Sequence, residues 1–209
     1  MAKRTRSEVT ILQGSHYLSS SQGHFDFGPP IGELLFQGRP MGPGTTDTIY
    51  QRHGDIVLRN PGESVSVPIE MVAVSLESIK PVKIDNVLYD VFIHLTPGKR
   101  STGEMTLMHH HPDDGTTRSN GVYNTNVAIF FTAEFTPRGR KGKAFSKDAD
   151  IFIQSTAPGR WALNPRNDFV RVASGTRAMR TTNFFVAGEV PMLDLASAAG
   201  GKNSPAIIA

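Results

Sequence analysis

Hydrophobic and polar residues alternate along the middle of the chain, from Ser64 to Pro137. Four segments of this region predict β-strands, because their apolar residues recur with a period of two instead of the helical period of about 3.6. Turn-forming residues, above all Gly and Pro, separate the segments. They read SVSVPIEMVAVSLESI, VLYDVFIHL, GEMTLMHHH and NVAIFFTAEF.

Two of these strands predict the centre of the core, because their alternation is unbroken. The apolar positions are Val87, Tyr89, Val91, Ile93 and Leu95 in one strand, and Val127, Ile129, Phe131, Ala133 and Phe135 in the other. The first segment behaves differently, since its apolar positions change from odd to even numbers after Met71. This change predicts a β-bulge or a bend between packed sheets.

The whole chain predicts an all-β fold, an antiparallel β-sandwich with few or no helices and either a jelly-roll-like or an immunoglobulin-like topology. We expect one domain over residues 8–190, with a flexible basic tail at 1–7 and a flexible C-terminal tail at 191–209. The segments DFVRVAS and TNFFVAGEV are its last predicted strands.

Three local features add to this prediction. The segment TIYQRHGDIVLR predicts one strand, or a hairpin with its turn near His53 and Gly54. The segment RGRKGK predicts a solvent-exposed hairpin tip, where like charges discourage edge pairing. Trp161, the single tryptophan, follows a Pro-Gly turn and is expected to anchor either the core or its rim.

Composition limits the chemistry further. The chain has 209 residues, 20 Gly and 14 Pro, which suits many short strands, and its net charge is only +3. It has no Cys, which excludes disulfides, thiol nucleophiles and Cys zinc sites. Its apolar runs are shorter than the roughly 18 residues of a membrane span, and no apolar segment follows the basic N-terminus to form a secretory signal.

The segment HHHPDDG is the one stretch with metal-ligand character. On a strand, His109 and His111 would share a face, and Asp113 or Asp114 could add an oxygen ligand; Asp114 is the preferred candidate. The spacing resembles half of the first cupin motif, but Gly115 and Thr116 stand where that pattern has Glu, and no His follows His111. An alternative is a calcium loop with oxygens from Asp113, Asp114 and Thr116.

We expect no cofactor and predict that both histidines are partly exposed at a strand end, with a divalent metal kept as an alternative. Other catalytic patterns are missing, since the chain has no Gly-x-Ser-x-Gly motif and no phosphate-binding Gly-rich loop. Glu70, Glu104 and Glu134 lie singly on predicted strands and are interpreted as residues of a solvent-facing sheet surface.

The pieces TDTIYQR, VPIEMVAVSLESIKPV, YDVFIHL, GEMTLMHH and APGRW, in this order, resemble a group of uncharacterised β-rich secreted proteins of cyanobacteria and planctomycetes. Some of those proteins carry a C-terminal sorting signal of the Pro-Glu-Pro type. The resemblance covers about residues 25–190 and implies secretion and a β architecture, without an activity. The chain differs in showing neither a signal peptide nor a sorting tail.

These observations favour a non-enzymatic structural or binding module at or outside the cell surface, whose partner the sequence does not identify. One alternative is a cupin-like metal-dependent enzyme centred on His109 and His111. Another is a self-assembling, capsid-like shell protein whose basic arm carries Lys3, Arg4 and Arg6. The small net charge argues against specific nucleic-acid binding, and self-association is kept as an alternative.

Overall fold

The computed structural model describes residues 9–19, 21–41, 46–109, 121–155, 158–161, 193–194 and 207–208. Every regular element in these ranges is a β-strand. None of these residues belongs to a helix long and apolar enough to cross a membrane. The strands are β1 (Val9–Ile11), β2 (Gly14–Ser19), β3 (Gln22–Asp26), β4 (Glu33–Gly38), β5 (Thr46–Arg52), β6 (Ile56–Leu58), β7 (Ser64–Ser78), β8 (Val82–Ile84), β9 (Val87–Leu95), β10 (Ser101–His109), β11 (Gly121–Pro137), β12 (Phe145–Ser155), β13 (Gly159–Trp161), β14 (Leu193–Asp194) and β15 (Ile207–Ile208).

All strand pairings among the described residues are antiparallel. Thirteen strands form one sheet, and β1 and β6 form a separate two-stranded sheet. The predicted all-β antiparallel class is therefore confirmed. The finer prediction of a sandwich of two facing sheets stays a prediction, because thirteen of the described strands are paired into one sheet.

A closed ring of four strands lies at the centre of the large sheet. β7 and β11 are long, and each pairs with β10 through its first half and with β9 through its second half. The pairings from β7 to β10, β11, β9 and back to β7 form a small four-stranded barrel, and the remaining strands extend it. Two long strands thus hold two shorter ones in fixed register.

The predicted irregularity in β7 is confirmed. Ile49 of β5 pairs with Ala73, whereas Tyr50 pairs with Met71, so Val72 is an extra residue in β7. An extra residue shifts the alternation by one position. The buried positions of β7 accordingly change from odd to even numbers, and Val72 is exposed.

The two strands predicted to form the centre of the core do so. Their inward positions are buried except for Val87 and Leu95 at the two ends of β9, which are partly buried, and Phe131 is only 3% exposed. Phe25 of β3 packs edge-on against Phe131, with ring centroids 4.8 Å apart, although β4, β7 and β9 separate their strands in the sheet. Phe27 similarly lies 5.5 Å from Phe135. The sheet therefore curves enough to close an aromatic core between β3 and β11.

The segment TIYQRHGDIVLR was predicted to form one strand or a hairpin, and both alternatives are wrong. This segment forms two strands, but β6 pairs with β1 and β5 pairs with β2 and β7. The alternation of apolar and polar residues indicates which side chains face the core, but it does not indicate which strands pair with each other.

The structure describes only parts of the two ends of the chain. Residues 1–8 and the predicted strands DFVRVAS and TNFFVAGEV lie outside the described residues. Within the predicted C-terminal tail, β14 pairs with β12 and β15 pairs with β3.

The basic tip between β11 and β12 is exposed, as predicted. Its first residue, Arg138, is engaged with Asp90 of β9, whose two carboxylate oxygens each accept a hydrogen bond from Nε at 2.9 Å. This ion pair raises the pKa of Arg138, first through its hydrogen bonds and then through its charge. The tip is therefore tied to the sheet at its base.

Candidate functional site

His109, the first predicted metal ligand, is the last residue of β10 and is buried, with 7% of its surface exposed. Its backbone N–H donates to the carbonyl of Glu63 at 2.9 Å, and its carbonyl accepts from the N–H of Gly62 at 2.7 Å. The expectation of partial exposure is therefore wrong for His109. His111, Asp113, Asp114 and Thr116 lie outside the described residues.

Trp161 of β13 packs against the imidazole of His109. The two ring centroids are 6.3 Å apart, and the indole Nε1–H donates to the carbonyl of Met108 at 3.2 Å. The neighbouring position in β11 is Gly121, where a Cβ atom would lie 2.6 Å from the indole nitrogen. Trp161 is completely buried, so of the two predicted roles, core anchor or rim anchor, it has the first.

The imidazole of His109 keeps one buried nitrogen, Nδ1, without a hydrogen-bond partner. The nearby carboxylate of Glu63 is committed elsewhere, because it accepts the backbone N–H groups of Arg59 at 2.5 Å and of Asn60 at 2.9 Å. These two hydrogen bonds lower the pKa of Glu63. Glu63 therefore holds the turn before β7 instead of pairing with the histidine.

The other described histidines, at positions 16, 24, 53 and 94, do not join His109. No cluster of three or more His, Asp or Glu side chains suited to a metal occurs within the described ranges. His16 is buried on β2. Each of the other three lies beside a glutamate on the surface; these pairs are His24 with Glu33, His53 with Glu70 at 3.1 Å, and His94 with Glu134 at 3.9 Å.

Two of the three glutamates that were expected to lie singly therefore have partners. Glu70 also accepts two hydrogen bonds from Arg100, at 3.0 Å from Nε and 2.6 Å from the terminal nitrogen. The guanidinium of Arg100 is the main cause of the lowered pKa of Glu70. Glu104 differs from Glu70 and Glu134, because its carboxylate makes no ion pair with a described residue.

Glu104 instead lies in a polar groove on the outer face of three adjacent strands. The groove has a volume of about 420 Å³. Strand register places Glu104 of β10 opposite Asn126 of β11, and Asn126 opposite Gln154 of β12. Thr106 and Asn124 form a second cross-strand pair beside this row. Five hydrogen-bonding side chains thus share one surface.

Part of the groove is fixed by hydrogen bonds of the protein. The Asn126 side-chain oxygen accepts the backbone N–H of Glu104 at 3.1 Å, and the hydroxyls of Ser66 and Thr106 are 2.6 Å apart. By contrast, the side chains of Glu104, Asn124 and Gln154 make no hydrogen bond within the described part of the chain. Their polar groups are available to a ligand.

Two exposed apolar side chains flank the groove. Phe152 is 37% exposed and lies two residues before Gln154 on the same face of β12. Its cross-strand partner in β11 is the small residue Ala128. Met108 is exposed two residues after Thr106 on β10. The groove therefore combines polar groups with an accessible aromatic ring, a combination typical of small-molecule sites.

A second cavity, inside the core, is too small for a ligand. It has a volume of about 20 Å³ and apolar walls that include Phe25, Phe36 and Phe131. A void of this size and polarity stays dry and belongs to the packing of the core.

Buried polar groups elsewhere join strands. The carboxylate of Asp47 accepts hydrogen bonds from the Ser21 hydroxyl at 2.5 Å and from the Ser21 N–H at 3.0 Å. Arg52 donates to the carbonyls of Gly54 and Leu12, and desolvation lowers its pKa to about 10. We interpret both as structural, because their partners are groups of the surrounding chain.

No protein-family model, curated protein or solved structure matches the chain. The resemblance to secreted β-rich bacterial proteins therefore stays a prediction, and the groove is interpreted from its own residues.

Proposed function

We propose that this chain is a non-enzymatic binding module whose ligand lies in the groove across β10, β11 and β12. The observation that carries the proposal is the row formed by Glu104, Asn126 and Gln154, which presents uncommitted polar groups on a rigid part of the sheet. Sites on paired strands hold their side chains more firmly than sites on loops.

The groove chemistry favours binding over catalysis. The described part of its lining has one carboxylate, Glu104, together with amides and hydroxyls. Hydrolysis of glycosidic bonds typically uses a pair of carboxylates with different protonation states. A single exposed carboxylate among amides orients a ligand without supplying such a pair.

The proposal also keeps two finer predictions. The contact between Phe25 and Phe131, on strands far apart in the sheet, supports packing of two facing layers, as in a sandwich. A location at or outside the cell surface follows from the resemblance to secreted proteins. The shell-protein alternative would require self-assembly, which size-exclusion chromatography with light scattering would detect.

The binding function can be tested by nuclear magnetic resonance with a library of small polar fragments. The side-chain amide groups of Asn124, Asn126 and Gln154 give their own proton–nitrogen signals. We expect fragments that bind to shift these signals, with the amide of Gln37 on β4 as the control. Fragments that consistently shift other regions, and leave the three groove amides unchanged, would contradict the proposal.

One observation favours the metal alternative, namely the buried and unpartnered Nδ1 of His109. A bound divalent metal would give this lone pair a partner. The test is the metal content of protein purified without a polyhistidine tag, compared with the double variant His109→Ala, His111→Ala. The matched control is His53→Ala, His94→Ala. One tightly held metal ion per chain, lost in the His109→Ala, His111→Ala variant but kept in the control variant, would support the alternative of a cupin-like enzyme.

A further inference from the structure

We propose that the groove binds a neutral oligosaccharide, a chain of sugar units without acidic groups. This inference rests on the proposed binding function and names the chemical class of its ligand. It depends on four properties of the described residues, which are hydrogen-bonding type, charge, position on the sheet and the flanking aromatic ring.

The hydrogen-bonding groups match hydroxyls. A primary amide offers two donors and an acceptor, and a sugar hydroxyl is both a donor and an acceptor. Asn124 and Gln154 keep both capacities, because neither makes a hydrogen bond with the described protein. Asn126 uses its oxygen for the backbone of Glu104, which leaves the two hydrogens of its side-chain nitrogen for a ligand. Glu104 adds acceptors only.

The charge of the groove selects against anions. Among the described residues that line the groove, Glu104 is the one charged residue and none is Lys or Arg. A phosphate, sulfate or uronic acid would meet a carboxylate without a compensating cation, which is unfavourable at short distance. Neutral hydroxyl groups meet no such repulsion and can donate to the carboxylate.

The position of the groove argues against an extended peptide. Peptides commonly bind β-proteins by adding a strand to a sheet edge. This groove lies on the face of the sheet, where the backbone of β10 is already paired with β7 and β11. A ligand here must be recognised by side chains, which suits a molecule with many hydroxyls.

The row runs across the strands and favours a chain over a single sugar. Adjacent strands lie about 4.8 Å apart, so Glu104, Asn126 and Gln154 sample a path of about 10 Å. Phe152 lies beside the end of this path and exposes its ring. An aromatic face can pack against the apolar C–H face of a sugar ring while amides bind the hydroxyls. Affinity should therefore rise with chain length.

The experiment is isothermal titration calorimetry of the full chain with defined hexasaccharides. The neutral probes are cellohexaose, xylohexaose, mannohexaose and laminarihexaose, and the anionic probe is hexagalacturonate. We expect at least one neutral probe to bind and the anionic probe to bind at least about tenfold more weakly, because of Glu104. The monosaccharide unit of the neutral probe that binds should bind more weakly than the hexasaccharide itself.

Variants locate the bound sugar. Asn124→Ala and Gln154→Ala should each weaken binding about tenfold, since each removes an amide contact. The matched control Gln37→Ala removes an exposed amide from β4 and should change affinity by less than about twofold. Phe152→Leu keeps an apolar side chain but removes the ring, and should also weaken binding. Glu104→Gln should reduce the discrimination against hexagalacturonate.

The outcomes separate this inference from the binding function on which it rests. If no neutral probe binds but polar fragments shift the groove amides, the binding function stands and the saccharide inference is overturned. If a neutral probe binds equally to wild type and to folded groove variants, as judged by Trp161 fluorescence, the sugar lies elsewhere and the inference is again overturned. Stronger binding of hexagalacturonate would have the same consequence.

Discussion

The packing of β11 predicts a large difference between two adjacent phenylalanines. Phe131 faces the core and is 3% exposed, whereas Phe130 lies on the opposite face and is only partly buried. The ring of Phe131 lines the apolar void of about 20 Å³ and packs edge-on against Phe25. The substitution Phe131→Ala would therefore enlarge an existing cavity and remove an aromatic pair.

The expected loss for Phe131→Ala is about 3–5 kcal/mol in the free energy of unfolding, the range for a buried phenylalanine that leaves a cavity. For Phe130→Ala we expect less than about 1.5 kcal/mol. That variant loses partial burial and the contact of the Lys99 ammonium, which lies 5.5 Å from the ring centroid. The difference between the variants should thus be at least about 1.5 kcal/mol.

Urea unfolding measures both losses in one assay. Trp161 is the single tryptophan and is completely buried on β13, so its fluorescence reports on the sheet that contains Phe131. The dependence of the unfolding free energy on urea concentration should be the same in both variants and the wild type. The loss of stability then appears as a shift of the unfolding midpoint. Equal losses for the two variants, or a larger loss for Phe130→Ala, would refute the assignment of the inward face of β11.

Two further predictions concern a close contact and an ion pair. Gly121→Ala should lower the unfolding midpoint in urea, because its methyl carbon would collide with the carbonyl oxygen of Met108 and lie 2.6 Å from the indole nitrogen of Trp161. An unchanged midpoint in this variant would contradict the close approach of β10 and β13 to Gly121. Glu70→Gln should lower the midpoint at neutral pH, because Arg100 holds the pKa of Glu70 below its ordinary value of 4.5. A lowered folded pKa stabilises the fold above that value, and the effect is lost as pH falls through the folded pKa. The variant and wild type should therefore converge in acid, and a difference that persists there would refute the reading.

The strand faces could be predicted because burial on one side of a strand imposes a period of two. This rule found the core positions of β9 and β11, and the change of parity in β7 located a bulge within a few residues of Val72. The hairpin between β8 and β9 was missed, although its turn has a local signal. Asp85 and Asn86 both adopt positive φ, at 47° and 65°, a conformation that favours Asn and Asp in two-residue hairpins.

Strand partners could not be predicted, because pairing depends on residues far apart in sequence. The proximity of β5 and β6 suggested a hairpin, yet β6 pairs with β1. His109 was expected to be partly exposed because it ends a strand and precedes a polar turn. Its burial depends on Trp161, whose indole bonds a carbonyl 53 residues away, that of Met108. No local pattern contains that contact.

The groove escaped prediction for the same reason. Glu104 was interpreted alone, because its neighbours in sequence do not include Asn126 or Gln154. Antiparallel register brings these side chains together, and a shift of one residue would turn them inward. The burial of Met105 and Val127 opposes such a shift, since both are almost completely buried on the inner face.

Core and groove are therefore alternate faces of the same strands. Thr106 on β10 lies between the buried Met105 and Leu107, and Glu104 and Asn126 adjoin the buried Met105 and Val127, so packing of the core fixes the spacing of the groove. Gly103 strengthens this coupling, because a Cβ atom there would lie 2.7 Å from the Cα of Val127, which shows that the two strands approach closely beside the groove. The binding surface is thus ordered before a ligand arrives, which reduces the entropy lost on binding.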